Sequence, residues 1–184
     1  NTVYKLNKKI KENNYINYVL LSEALHENKI AEIANKICKQ KECKMVLIAG
    51  PSSSGKTTFA KRLGIQLRIH GLKPVTISVD DYFIDRENTP KDEYGNYNFE
   101  DIEVVDIELF NKNLIKLMNG QEIDAPTFNF VKGRKEYNGN KMKLNDNEIL
   151  IIEGIHCLND RLTCKIDSKI KFKIYISALT VLNI

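Results

Sequence analysis

Five apolar residues, Met45-Val-Leu-Ile-Ala49, run directly into Gly50-Pro-Ser-Ser-Ser-Gly-Lys-Thr57, and a helical pattern follows from Phe59 to Ile69. An unbroken apolar run of this length predicts a strand covered on both faces, the kind found in parallel sheets flanked by helices. The turn matches G-x-x-x-x-G-K-[ST] in the strand-to-helix context that this spacing needs. Its glycines let the backbone curl until successive N–H groups point inward, and the following helix adds the positive end of its dipole. The ligand such a turn selects is a phosphate chain. Gly50, Ser52, Ser53, Ser54, Gly55, Lys56, Thr57 and Thr58 are the expected phosphate-binding residues, with Lys56 reaching the β and γ phosphates and Thr57 offering its hydroxyl to Mg²⁺.

The rest of the chain supplies matching parts. Further strand patterns occur at 74–79, 148–152 and 171–176, and a helical pattern with apolar spacing of three and four spans 104–118 and stops at Asn119-Gly120. Residues 85–101 are polar and turn-rich, an exposed excursion. Residues 121–143 carry aromatics with Lys132-Gly133 and Asn138-Gly139, and suggest a small hairpin platform. Strands separated by helices predict an α/β fold, a three-layer α/β/α sandwich on a mainly parallel sheet. In front of it, residues 16–37 place Ile16, Val19, Leu20, Ala24, Ile30, Ile33, Ala34 and Ile37 at helical spacing, which predicts helices with one buried face. The expected division is a helical extension or connector at 1–44 and the phosphate-binding domain at 45–184. The chain opens with Asn and stops inside an apolar segment, so further residues, including a lid, are expected beyond it.

A magnesium ion beside phosphates takes oxygen ligands, commonly one or two carboxylates. Asp80-Asp81 follows the strand pattern 74–79, and Glu153 follows 148–152, so both emerge at carboxyl ends of strands, where open α/β sheets bind ligands. Consecutive side chains on extended backbone diverge, so one Asp faces the phosphates while the other packs backward. Asp81 is favoured as the catalytic base and as a metal ligand with Thr57 and Glu153; Asp80 is the alternative.

Other classes are excluded. Asn111-Lys112-Asn113-Leu114 lacks the Asp of a guanine-binding N-K-x-D motif, and no Leu-Ser-Gly-Gly-Gln signature of transport ATPases occurs. With 28 basic against 24 acidic residues, the net charge of +4 is too small to mark a nucleic-acid surface. No apolar run approaches the ~18–20 residues of a membrane span, and the first residues lack a signal peptide's apolar stretch, so the cytoplasm is the default location. Cys38, Cys43, Cys157 and Cys164 form no metal-binding spacing with one another or with the three histidines, and are read as reduced thiols.

Taken together, Gly50 to Thr58, Ser78-Val-Asp-Asp-Tyr-Phe83, Tyr97-Asn-Phe-Glu100, Pro126-Thr-Phe-Asn-Phe130 with Arg134-Lys135-Glu136, and Glu153-Gly154-Ile155 resemble the uridine kinase and phosphoribulokinase family over about residues 45–176. Residues 1–44 resemble the connector of longer bacterial uridine kinase-like proteins. The resemblance implies a P-loop kinase that passes the γ-phosphate of ATP, with Mg²⁺, to the 5′-hydroxyl of a nucleoside such as uridine or cytidine. It implies a small-molecule acceptor rather than nucleic acid or membrane, and is compatible with a homo-oligomer. It puts Asp81 on the catalytic Asp, Thr57 and Glu153 beside the metal, Glu100 on the ribose hydroxyls, and Phe128 and Phe130 against the pyrimidine. The chain departs from that pattern: Glu100 stands for an Asp, Phe128 for a Tyr, and 131–134 is one residue shorter and lacks a base-reading His, whose place Arg134 could take. Two rival functions remain: a nucleotide-sensing module without transfer, and a kinase for a sugar phosphate or other small alcohol, with Lys132, Arg134 and Lys135 as its basic lining.

Overall fold

The computed structural model describes residues 2–12 and 15–177. In chain order the elements are α1 (Val3–Lys11), α2 (Tyr15–Lys39), β1 (Met45–Ala49), α3 (Lys56–Ile69), β2 (Lys73–Ser78), α4 (Ile107–Met118), β3 (Ile123–Asp124), β4 (Thr127–Asn129), β5 (Arg134–Glu136), β6 (Lys141–Met142), β7 (Glu148–Glu153) and β8 (Lys171–Tyr175). The four long strands make one parallel sheet in the order β2-β7-β1-β8. The chain therefore leaves β1, skips a place to lay down β2, and later slots β7 into the gap.

Every residue of β1 is buried, as its unbroken apolar run requires. The pleat sends alternate side chains to opposite faces. Met45, Leu47 and Ala49 join Phe110, Leu114 and Leu117 of α4 on one side. Val46 and Ile48 join Phe59, Leu63 and Leu67 of α3 and Ile30, Ala34 and Ile37 of α2 on the other. These two clusters make the three-layer sandwich expected from the sequence. The platform at 121–143 resolves into two small antiparallel ladders, β3 with β6 and β4 with β5.

Two expectations change. The region 104–118 holds a helix only from Ile107, because Val105 pairs with Phe83 in a short antiparallel bridge, and Asp106 caps α4 by accepting the Leu109 N–H at 3.0 Å. The apolar stripe of residues 16–37 lies on one continuous helix, α2, of which only Ile30, Ala34 and Ile37 are buried. Ile16, Val19 and Leu20 are 56%, 51% and 57% exposed. The reason is length: a helix of 25 residues runs about 37 Å, against about 21 Å for the 14 residues of α3 on which it packs. An ion pair between Arg62 and Glu27 joins the two helices. Among the described residues, no helix is long and apolar enough to cross a membrane.

Candidate active site

The strand order builds the site. In register, Glu153 at the end of β7 lies opposite Ile48 of β1 on one side and Ser78 of β2 on the other. The carboxyl end of β7 thus falls between the turn that follows β1 and the Asp pair that follows β2. Gly154 makes this packing feasible, since a Cβ there would sit 2.7 Å from Val79 Cβ.

The 50–55 turn is shaped by two glycines with different tasks. A Cβ on Gly50 would collide with the Ile176 carbonyl oxygen and stand 2.8 Å from Ser54 Oγ. Gly55 takes φ 85° as the N-cap of α3, in the left-handed region that suits glycine. Ser53 shares that region at φ 58°, a conformation with a cost for a residue carrying a Cβ. Lys56 Nζ folds back over the turn and donates to the carbonyls of Gly50 at 3.1 Å and Pro51 at 2.9 Å. Ser52, Ser53, Gly55, Thr57 and Thr58 are exposed along the turn and the first helical residues, while Ser54 Oγ is buried without a hydrogen-bond partner among the described residues.

Thr57 Oγ1 donates to Glu153 Oε1 at 3.1 Å, across 96 residues of sequence. Both side chains line a cleft of about 340 Å³ with Ser53, Gly55, Lys56, Thr58 and Asp80. This is where the sequence expectation shifts: Asp80, not Asp81, faces the cleft. The backbone from Val79 to Tyr82 is a 3₁₀ turn rather than extended chain. Each residue of such a turn rotates by about 120°, so Val79 and Tyr82 align into the core, Asp80 turns to the cleft, and Asp81 turns elsewhere. Asp81 Oδ1 accepts the backbone N–H of Phe128 at 3.2 Å, tying the turn to β4.

The electrostatics follow this division. Burial and then the nearby Glu153 charge push the Asp80 carboxyl above its usual range, with Lys56 opposing and Asp81 adding a smaller upward push. Asp81 is pushed up by burial and pulled back by the Phe128 N–H. Thr57, Asp80 and Glu153 form a hard-oxygen donor set suited to Mg²⁺, and Mg²⁺ characteristically completes its shell with phosphate and water. Among the described residues, no cluster of three or more His, Cys, Asp or Glu side chains forms a metal cage by itself.

The acceptor side is less closely gathered. Glu100 is exposed on a turn in which its N–H donates to Asn98 Oδ1 at 3.1 Å. Phe128 is 4% exposed and packs edge-on to Phe83 and Phe130, so its ring belongs to the core. Phe130 is 56% exposed and presents the free aromatic surface of the pair. Arg134 is exposed on β5 in the field of Glu136. Lys132 pairs with Glu136 at 2.8 Å, and Lys135 pairs with Asp106. Sequence reasoning missed Arg86, whose N–H donates to the Gly133 carbonyl at 2.7 Å and whose guanidinium holds the Phe130 carbonyl. A polar loop gives no signal for such a clamp.

A profile of the Phosphoribulokinase / Uridine kinase family matches residues 45–184. The chain is 32% identical over 127 residues to the uridine-cytidine kinase C of Dictyostelium discoideum, covering 68% of this chain and 26% of that protein. It is 30% identical over 122 residues to the uridine kinase of Shewanella piezotolerans, covering 65% and 57% respectively. The chain thus spans about a quarter to somewhat over half of these relatives' lengths. A solved structure described as a possible uridine kinase from Bacillus stearothermophilus shares the fold, with TM-score 0.59, 22% identity and 80% of each chain covered. With its phosphate turn, its sheet and its profile in agreement, the chain belongs to the phosphoribulokinase and uridine kinase family.

Proposed function

We propose that the protein is an ATP- and Mg²⁺-dependent kinase that phosphorylates the 5′-hydroxyl of a nucleoside of the uridine or cytidine type. The observation that carries this is the meeting of Lys56, Thr57, Asp80 and Glu153 at one cleft, from three separate stretches of sequence. Phosphoryl transfer asks a protein mainly to position groups and neutralise charge, and these four residues do both. The 50–58 turn would hold the triphosphate, with Lys56 released from the Gly50 and Pro51 carbonyls to meet the β and γ oxygens. Thr57, Asp80 and Glu153 would hold Mg²⁺, which when bound neutralises charge developing between the β and γ phosphates.

Asp80 is also the better-placed base. It lines the phosphate cleft, where a carboxylate can take the proton of an acceptor hydroxyl, whereas Asp81 is engaged by the Phe128 N–H. Asp81, held by the Phe128 N–H, would fix the acceptor wall. Glu100 would accept hydrogen bonds from ribose hydroxyls, and Phe130 would stack on the base. The 1–44 segment is proposed as a connector whose second helix docks on the kinase domain at 45–184 through Ile30, Ala34 and Ile37. A phosphorylated-sugar acceptor is less well supported, because Lys132 and Lys135 already have acidic partners.

Steady-state assays of Asp80→Asn and Asp81→Asn test the assignment. Asp80→Asn is expected to lower kcat by about 10²–10⁴, the usual range for loss of a general base, with ATP binding retained. Asp81→Asn is expected to act mainly on the acceptor KM. The reverse pattern would exchange the two roles, and a wild-type protein that binds ATP but phosphorylates no nucleoside would favour the sensing module.

A further inference from the structure

Phe130 is the open ring of the acceptor side, and an exposed ring binds a partner best when its position is fixed beforehand. It opens the turn 130–133 that joins β4 to β5. The bonds within this turn centre on Asn129. Its carbonyl accepts the Gly133 N–H at 2.7 Å, and its side-chain oxygen accepts the N–H groups of Val131 and Lys132 at 3.1 and 3.0 Å. None of these uses the Phe130 carbonyl. That oxygen accepts instead from the Arg86 guanidinium, 44 residues earlier in the chain.

Arg86 meets the turn in two further ways. Its backbone N–H donates to the Gly133 carbonyl at 2.7 Å. Its side chain lies along Gly133, where a Cβ would come within 2.8 Å of Arg86 Cβ, 3.0 Å of Nε and 3.1 Å of Cζ. Gly133 is accordingly buried, although Val131, Lys132 and Arg134 around it are exposed. The other end of the contact is firm as well, because the Thr89 N–H donates to the Arg86 carbonyl at 3.1 Å and Thr89 is buried.

The stretch that carries Arg86 is the one that supplies Asp80 to the phosphate cleft. Within it, Asp81 accepts the Phe128 N–H and Arg86 takes the Phe130 carbonyl, so the end of β4 is tied at two residues to the segment leaving β2. We infer that Arg86 is a positioning residue for the acceptor: by gripping the Phe130 carbonyl it sets the open ring at a fixed place relative to Asp80, so that a base stacked on Phe130 brings its ribose hydroxyl to the cleft. The inference rests on the proposed function for this catalytic consequence, though not for the grip itself. Arginine suits the task, since its rigid fork holds a donor in place while its stem covers the glycine; a lysine ammonium is a point charge on a flexible stem.

Arg86→Met and Arg86→Lys in the full-length protein, each with and without Phe130→Ala, test this with uridine as the acceptor. Methionine keeps a stem over Gly133 and loses the donors, whereas lysine keeps one charged donor. In Arg86→Met the uridine KM is expected to rise about tenfold, the size of one hydrogen bond from a charged group, with kcat and the ATP KM within twofold. Arg86→Lys should recover part of the loss. In the Phe130→Ala background Arg86→Met should shift the uridine KM less than twofold, because the ring it positions is gone. Without substrates, the amide at position 86, which bonds to the Gly133 carbonyl, should lose about tenfold in hydrogen-exchange protection in Arg86→Met, while the Gly133 amide, bonded within the turn, keeps its own. Unchanged protection at position 86, a tenfold effect that persists beside Phe130→Ala, or uridine and ATP KM values that rise together would overturn the inference. A wild type that transfers to no nucleoside defeats the kinase proposal instead, and the exchange result then still decides whether Arg86 holds the turn.

Discussion

Asp80 and Asp81 are chemically identical neighbours with different surroundings, which makes them separable by experiment. The Asp80 carboxyl binds its proton more tightly in the fold than its unperturbed value of 3.8. For a carboxyl shifted upward, the favourable contribution to stability is complete below the unfolded value and is lost as pH rises through the folded one. Ionised Asp80 therefore costs stability at neutral pH. Asp80→Asn removes that cost and should raise Tm at pH 7, with the gain shrinking as pH falls toward 4, even as transfer is lost. Thermal melts at the two pH values check this, and a lower Tm at pH 7 would contradict it. The sequence disclosed both acids but not which one faces the cleft, because the 3₁₀ turn that decides it depends on Val79 and Tyr82 both reaching the core.

Among the elements, α2 is the least uniform. Its second half is core, with Ala34 fully buried among Ile30, Ile37 and the residues of α3, and its first half displays apolar side chains. Ala34→Leu should therefore overpack the α2–α3 contact and cost about 1–3 kcal/mol. Val19→Ser and Leu20→Ser should change stability by no more than about 0.5 kcal/mol. Urea denaturation distinguishes the two cases. The periodicity was legible across the whole stretch, but periodicity cannot say where the surface that receives it ends. Likewise β1, α3 and β7 were read nearly to the residue from apolar runs and the glycine turn. The small ladders β3–β6 and β4–β5 appeared only as a turn-rich region, since strands of two or three residues leave no periodic trace.

For the whole molecule, the consequence of the strand order is that nucleotide and metal should stabilise the fold together. ATP with Mg²⁺ at about 100 times its Kd adds about 2.7 kcal/mol, which for a chain of this size is a Tm increase of about 5–10 °C. Chelation of Mg²⁺ should remove much of that increase, and Asp80→Asn should show a smaller Mg²⁺-dependent part. Calorimetry with ATP, with and without EDTA, measures it; a Tm indifferent to both ligands would refute the phosphate-binding assignment.

The sequence alone determined that a phosphate-binding turn follows a buried strand and that acids stand at the ends of two others, because spacing, burial pattern and glycine chemistry are local properties of the chain. Only the tertiary structure decided that β7 inserts between β1 and β2, bringing Glu153 to Thr57, that Asp80 rather than Asp81 joins them, and that Phe128 is core while Phe130 is open. Those outcomes depend on pairings and packing between residues far apart in the chain, such as the 96 that separate Thr57 from Glu153. No local pattern encodes them.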